Sequence, residues 1–249
     1  MAETRAYTLG RGKLLFKPEG STGYEDFGNV TDFKVTFSVE KKEHYSSRAG
    51  LKVKDKEIIV SLAANLSFTA DELSKENLEK FFLAESEGFT QTAGSFSTPV
   101  ELTVEQGKWF EVGKYNLGDD IVVKDEGDSV TYTEGTDYTL DRKAGLIYII
   151  PGGSIANGST IHITGSYGSV DNGVQFDAGV KTSIRGDIYF VADPAVGAVI
   201  DVKGKVELMP NGDLSLITED WATVEFTGSF VKQEDVQRLF TALSREVRG

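Results

Sequence analysis

The stretch from residue 29 to 69 constrains this chain most. Phe33, Val35, Phe37 and Val39 alternate strictly with Lys34, Thr36, Ser38 and Glu40. Successive side chains on a strand point to opposite faces, so this period of two predicts a β-strand with one apolar and one polar face. The next ten residues, Lys41-Lys42-Glu43-His44-Tyr45-Ser46-Ser47-Arg48-Ala49-Gly50, are strongly polar. They exceed the two to five residues that an ordinary hairpin needs, and a loop of that length in a compact domain is usually functional or disordered. A second strand, Leu51 to Thr69, follows; at about 3.3 Å per residue it is long enough to cross most of a domain. The pair reads as an extended arm that reaches another subunit.

Composition sets outer limits. A chain of 249 residues can bury a full core and make one large or two modest domains. With 39% hydrophobic residues, 27 glycines and only five prolines, it suits many short strands and turns rather than a disordered polymer. The absence of cysteine excludes disulfides, thiol catalysis and cysteine-ligated zinc, and fits a reducing cytoplasm. No apolar run follows the basic residue at the N-terminus, and the longest, Leu146 to Ile150, is too short to span a bilayer, so a soluble, unexported chain with no membrane insertion is expected. The net charge of −13 disfavours a grip on a phosphate backbone, which requires Lys and Arg. Residues 98 to 170 carry 11 acids against 5 bases, so much of the acidity lies outside this segment as well. An acidic surface also serves solubility alone.

Along the chain, a short strand at Lys13 to Lys17 precedes a turn region at Pro18 to Gly23, and then the long pair begins. Thr69-Ala70-Asp71-Glu72 has the form of a capping box and predicts a helix in which Leu73, Leu78, Phe81 and Phe82 share an apolar face while Lys75, Glu76, Glu79 and Lys80 stay wet. Gly88 to Pro99 reads as a linker or ordered loop. Seven short strands follow: Val100 to Val104, Lys108 to Val112, Ile121 to Val123, Val130 to Thr133, Tyr138 to Leu140, Leu146 to Ile150 and Thr160 to Ser166. They predict a small sandwich with a hairpin closed at Gly145, a residue suited to positive φ. Longer strands then return at Val180 to Val191, Ala198 to Met209, Gly212 to Ile217 and Ala222 to Val231, with Pro210-Asn211-Gly212-Asp213 as a hairpin turn. Val236, Leu239, Phe240, Leu243 and Val247 fall at helical spacing and predict a C-terminal helix, packed on its own domain or on a neighbour.

Chemistry-bearing patterns are sparse. His44 and His162 stand far apart, neither with carboxylate and second ligand at metal spacing, and read as structural or solvated histidines. HExxH, Walker A, GxGxxG and GxSxG patterns do not occur. Asp119-Asp120 and Asp125-Glu126-Gly127-Asp128 could attract calcium but lack the EF-hand spacing, and read as turn acids. Asn29, Asn65 and Asn157 head Asn-x-Ser/Thr triplets that matter only for an exported chain. No carboxylate pair is singled out for hydrolysis. The expectation is a non-enzyme with no cofactor, no catalytic residue and no metal site.

Two segments carry a family resemblance. Gly28 to Phe37 followed by Lys42-Glu43-His44-Tyr45-Ser46-Ser47-Arg48, and the later run Gly204 to Ile217 followed by Trp221 to Gly228, resemble the major tail tube proteins of long-tailed, siphophage-type bacteriophages. The resemblance covers residues 1–97 and 171–249 and implies a mainly β, discontinuous tail tube domain, a sandwich or barrel with one flanking and one C-terminal helix. Residues 98–170 depart from it and read as an inserted all-β, immunoglobulin-like sandwich of the kind that decorates some relatives. The resemblance further implies six-membered rings stacked into a hollow tube through which DNA passes without specific binding. The implied partners are further copies of the chain and the tape measure, tail terminator and distal tail proteins, and the implied location is the virion tail, assembled in the bacterial cytoplasm. Lys41, Lys42, Glu43, His44, Tyr45 and Arg48 are then expected to make ring-to-ring contacts, and Lys34, Thr36, Ser38 and Glu40 to face the channel or a neighbouring subunit. Rings closed by heterologous contacts would cover exposed strand edges, and acids lining the bore would let the duplex slide. The rival reading is a carbohydrate- or receptor-binding β-sandwich module, with Trp109, Trp221 and tyrosines available for stacking on sugars.

Overall fold

The computed structural model describes residues 7–48, 50–232 and 238–245. The chain is mainly β and forms two compact units, Met1–Ser86 with Phe176–Gly249, and Glu87–Gln175. In chain order, β1 (Gly12–Pro18), β2 (Glu25–Asp26), β3 (Val30–Ser46) and β4 (Val53–Ala70) precede the helix α1 (Lys75–Phe81). Then come β5 (Glu85–Gln91), β6 (Gly94–Ser95), β7 (Val100–Val104), β8 (Trp109–Glu111), β9 (Val122–Asp125), β10 (Tyr138–Asp141), β11 (Leu146–Ile149), β12 (Ser159–Thr164) and β13 (Ser166–Tyr167). The last strands are β14 (Val170–Asp177), β15 (Ile184–Ala192), β16 (Val199–Asn211), β17 (Val224–Phe230) and β18 (Thr241–Arg245).

The first unit is one antiparallel sheet in the order β2-β1-β15-β16-β17-β4-β3, with β18 also paired to β16. Alternation decides which face is covered: Ala64, Leu66, Phe68 and Ala70 of β4 are buried beside Leu14 and Phe16 of β1, Val206 and Leu208 of β16, and Val224 and Phe226 of β17. Phe27 sits among them, its ring 4.6 Å from Phe68 and 5.6 Å from Phe226, centroid to centroid. Each such ring contributes about 1.5–3 kcal/mol by leaving water. Gly186 lets this core close, because a Cβ there would lie 2.6 Å from the ring of Phe16 and 2.2 Å from the carbonyl oxygen of Lys17. The sheet curls enough for Phe33 on β3 to stack on Phe190 on β15 at 5.1 Å. Among the described residues no ladder joins β3 to β2, so the sheet is not a closed barrel.

Several expectations are corrected in this unit. Thr69 and Ala70 do not cap a helix, because ladder bonds to β17 hold them extended; Ser74 is the cap and accepts from the Asn77 backbone N–H at 3.2 Å. Lys80 is buried rather than wet, its ammonium 2.6 Å from Glu25 and held over the ring of Phe27. Gly212 to Ile217 forms no strand: β16 and β17 pair only as far as Asn211 with Glu225, and the connection between them is a long loop rather than a tight turn. The C-terminal helix is replaced over Thr241–Arg245 by β18. Strand β17 pairs with β16 only from Val206 to Asn211, and β18 supplies partners for Val199–Lys203, where the Arg245 guanidinium meets the buried Asp201 carboxylate at 2.6 Å. Leu239 and Phe240 pack on the core, Leu243 is exposed, and Val236 and Val247 lie outside the described residues.

The second unit packs two three-stranded sheets, β10-β11-β8 and β7-β12-β9, on a core that includes Val104, Val123, Ile147, Ile149, Ile161 and Ile163. Val130 to Thr133 contributes an isolated bridge, Lys124 to Thr131, instead of a seventh strand. The expected linker is ordered: β5 and β6 lie within Glu85–Ser95, and the buried Gln91 amide donates to the carbonyls of Tyr115 and Gly168. The unit therefore begins at Glu87 rather than residue 98 and ends at Gln175 rather than 170. Gly145 has φ +70°, and a Cβ there would meet the carbonyl oxygen of Lys114 at 1.9 Å. Buried Asp137 ties two loops together, accepting from the backbone N–H groups of Thr133 at 2.8 Å and Ser154 at 2.7 Å, which hold its carboxyl below the usual carboxylate range.

Candidate assembly surface

The arm is longer and more regular than the sequence suggests. Residues 41–46 are strand, not loop: Lys41 pairs with Ile59, Lys42 with Ile58, Glu43 with Glu57, His44 with Lys56, Tyr45 with Lys54 and Ser46 with Val53. Cross-strand backbone bonds satisfy a polar segment as well as an apolar one, so polarity alone does not make a loop. Register shifts after Glu40 and after His44 mark bulges, which bend and twist the ladder. The last β17–β4 pair is Ser229 with Asn65, so Val53–Ala64 run about 40 Å past that ladder at ~3.3 Å per residue.

Charged side chains lock the tip across its two strands. Lys41 is 2.6 Å from Glu57 and Lys54 is 2.5 Å from Glu43, while Lys54 also bonds Glu57 and the Tyr45 hydroxyl donates to Glu43. Bonds from Lys41 and Lys54 hold the Glu57 carboxyl down at about 2; those from Lys54 and Tyr45 lower Glu43, and its partners raise Lys54. The Glu43 hydrogen bond also raises the Tyr45 phenol. His44 has a carboxylate after all: Asp55, eleven residues on, meets its Nδ1 at 2.5 Å across the hairpin. Arg48 lies exposed beyond the last ladder pair. All these groups are in water, where ion pairs shape the tip more than they stabilise it.

The two faces differ. On one, exposed Lys34, Thr36, Ser38 and Glu40 lie opposite Ser67, Asn65, Ala63 and Ser61, with Ser61 donating to Glu40 at 3.1 Å and Lys34 paired to Asp32. On the other, Phe33 and Val35 reach the core, but Phe37 and Val39 continue the same alternation into the open beside Leu62 and Val60. Phe37 is 56% exposed although its ring lies 5.6 Å from Phe240. This strip continues an apolar groove of about 240 Å³ lined by Phe33, Val35, Phe190, Ile200 and Val202. Strand β3 is also the sheet's edge, so seventeen residues present an open side to a further strand.

Residues 7–238 match the family model described as protein of unknown function UCP028589. The chain belongs to that family. No curated protein matches it. The matched span of this UCP028589 member contains the whole arm, the second unit and the long loop between β16 and β17.

Other candidate residues have structural partners. His162 Nδ1 lies 3.1 Å from Asp128, and its Nε2 is 3.7 Å from Glu101 on the neighbouring strand, carboxylates that linear spacing hid. Asp125 accepts from the Val130 backbone N–H and Ser129, and Asp120 from Ser166, bonds that lower both carboxyls and tie down turns. Among the described residues no three His, Asp or Glu groups are placed to hold a metal, and no helix is long and apolar enough to cross a membrane, which leaves β-barrel insertion unaddressed. The sequence predicts a strand over residues 212–217 and a sugar-stacking aromatic at Trp221; what that reading missed is a loop over 212–223 on which Leu216, Ile217 and Trp221 stand exposed together, at 81%, 99% and 91%. The signal was there: three large apolar residues among Asp213, Glu219 and Asp220, without strand alternation.

Proposed function

We propose that this protein is a structural, non-catalytic subunit that polymerises as stacked hexameric rings into a hollow tube, the DNA conduit of a long-tailed bacteriophage. The observation that carries the reading is the β3–β4 arm, whose apolar strip and open edge continue beyond the subunit core. A monomer seldom leaves so much contiguous apolar surface and so long a strand edge in water unless another chain covers them. Head-to-tail contacts that close by rotation give rings and cover such edges, while the arm extends the stack. In this reading Lys41, Lys42, Glu43, His44, Tyr45 and Arg48 lie at ring-to-ring contacts, and tape measure, terminator and distal tail proteins meet the tube in the virion.

The face bearing Lys34, Thr36, Ser38 and Glu40 suits a channel lining. Hydroxyl and amide groups dominate, Lys34 is paired with Asp32 and Glu40 adds an acid, so the duplex would slide over a weakly acidic surface that offers little counterion release. Negative-stain electron microscopy of the concentrated full chain tests the proposal. Uniform hollow tubes or stacked rings are expected; small particles alone at every concentration would overturn it.

One observation favours a second reading, a carbohydrate- or receptor-binding module. Trp109 is half exposed and its ring lies 5.1 Å from that of Tyr148 on the adjoining strand, a surface aromatic pair able to stack on a sugar ring. Glycan-array binding lost in Trp109→Ala would support that role; no binding by the full chain would sink it.

A further inference from the structure

We infer that the 212–223 loop of one copy is the seat for the arm tip of a second copy. This rests on the polymerising reading and adds to it the identity of the acceptor. The two elements lie at opposite ends of one sheet. Strand β17 starts at Val224, paired with Ala70, and the loop joins it to Asn211 at that end, whereas β4 runs the other way to the tip at Val53. Eighteen residues of strand separate them by up to roughly 55 Å, so a chain cannot bring its own arm to its own loop. A contact between unlike surfaces on two copies is heterologous and repeats from copy to copy.

Charge selects the pairing. Residues 40–57 hold six Lys or Arg against four Asp or Glu, a positive projection from a chain of net charge −13. Lys41 and Lys54 are engaged within the arm, but Lys42, Arg48, Lys52 and Lys56 form no ion pair among the described residues. The loop offers Asp213, Glu219 and Asp220, with no cation. Opposite potentials of this kind steer encounter and fix which surfaces meet.

Apolar chemistry points the same way. Leu214 packs on the core and anchors the loop, leaving Leu216, Ile217 and Trp221 projecting into water. Near the tip the arm exposes Leu51, Val53, Ile58 and Ile59. An aromatic anchor among aliphatic neighbours, rimmed by charges, is how contact energy concentrates in an interface.

Because the chain has no cysteine, introduced thiols report the contact without background. Chains carrying Arg48→Cys and Leu216→Cys together, treated with a short flexible bis-maleimide, are expected to give a ladder of covalent dimers and higher multimers. Chains carrying either substitution alone should give none. In parallel, Asp213→Lys/Glu219→Lys/Asp220→Lys and Lys42→Glu/Lys52→Glu/Lys56→Glu should each cut the assembled fraction at least tenfold, and the two sets combined in one chain should restore it. Circular dichroism of each variant monitors folding. If the unaltered chain forms tubes or rings while the doubly substituted chain gives no ladder and the charge reversals change nothing, the acceptor is wrong and the tube reading stands. If the unaltered chain stays small at every concentration, the tube reading fails and this inference fails with it.

Discussion

Along β3 and β4 one alternation of apolar and polar side chains meets two environments. At the base, Phe33, Val35, Leu66 and Phe68 pack into the core; a few residues on, Phe37, Val39, Leu62 and Val60 repeat the pattern and remain in water. The backbone ladder is unbroken from Asp32–Thr69 to Glu40–Ser61, which spans both Phe33 and Val39, so hydrogen bonding does not distinguish the covered residues from the exposed ones. What differs is whether the apolar side chains of β15, β16 and β17, strands of the same curled sheet, pack against that face. A period of two states which side chains share a face and leaves open what covers that face.

The largest expected effect breaks the base. Phe68→Ala should destabilise the first unit by about 3–5 kcal/mol in urea unfolding, because the cavity opens where Phe27 and Phe226 converge. A loss below 1 kcal/mol would mean that the base is not packed as described. Next, Arg245→Ala should cost about 1–3 kcal/mol and free β18 in amide exchange, since the buried Asp201 loses its charged partner. Unchanged protection of Ala242–Ser244 would show that the Arg245–Asp201 pair does not hold β18 in place.

At the tip the same chemistry should cost little stability and much assembly. Leu62→Ala should shift the unfolding free energy of dispersed subunits by less than about 0.5 kcal/mol, as for an exposed site, while lowering the assembled fraction in sedimentation. Replacing residues 42–57 with an Asn-Gly turn should likewise leave a folded subunit that forms no tubes; normal tubes would remove the arm from the proposal.

Acid should produce the smallest effect. Folding lowers the Glu57 carboxyl to about 2, so its contribution is present above the ordinary value of 4.5 and disappears as pH falls toward about 2. Protection of the tip amides, relative to the intrinsic exchange rate at each pH, should therefore hold steady from neutral pH to about 4.5 and fall only below it. A loss of protection already complete above pH 4.5 would show that Glu57 does not govern the tip.

Much was legible from local pattern. Strand β7 occupies Val100–Val104 as read, β1 and β11 differ by a residue or so at their ends, and Gly145 takes its positive φ, since each depends on close neighbours in the chain. Long-range pairing was harder to read. Apolar spacing around Leu239 to Leu243 fits a helix in isolation, but the uncovered side of β16 makes Thr241–Arg245 a strand. His44 and Asp55, like His162 and Asp128, looked unrelated in the linear sequence and meet only because strands and turns bring them together. Leu216 and Ile217 were read through the strand expected around them, which hid their exposure beside Trp221.

By itself the sequence determined a mainly β chain with a long two-stranded arm, because alternation and turn chemistry act between near neighbours and need no knowledge of the rest of the fold. Tertiary structure decided which stretch of that arm is covered, that residues 41–46 pair rather than loop, and that a basic tip and an acidic, apolar loop stand at opposite ends of one sheet. Burial and separation depend on strands distant in the chain, and only the folded sheet brings those strands together.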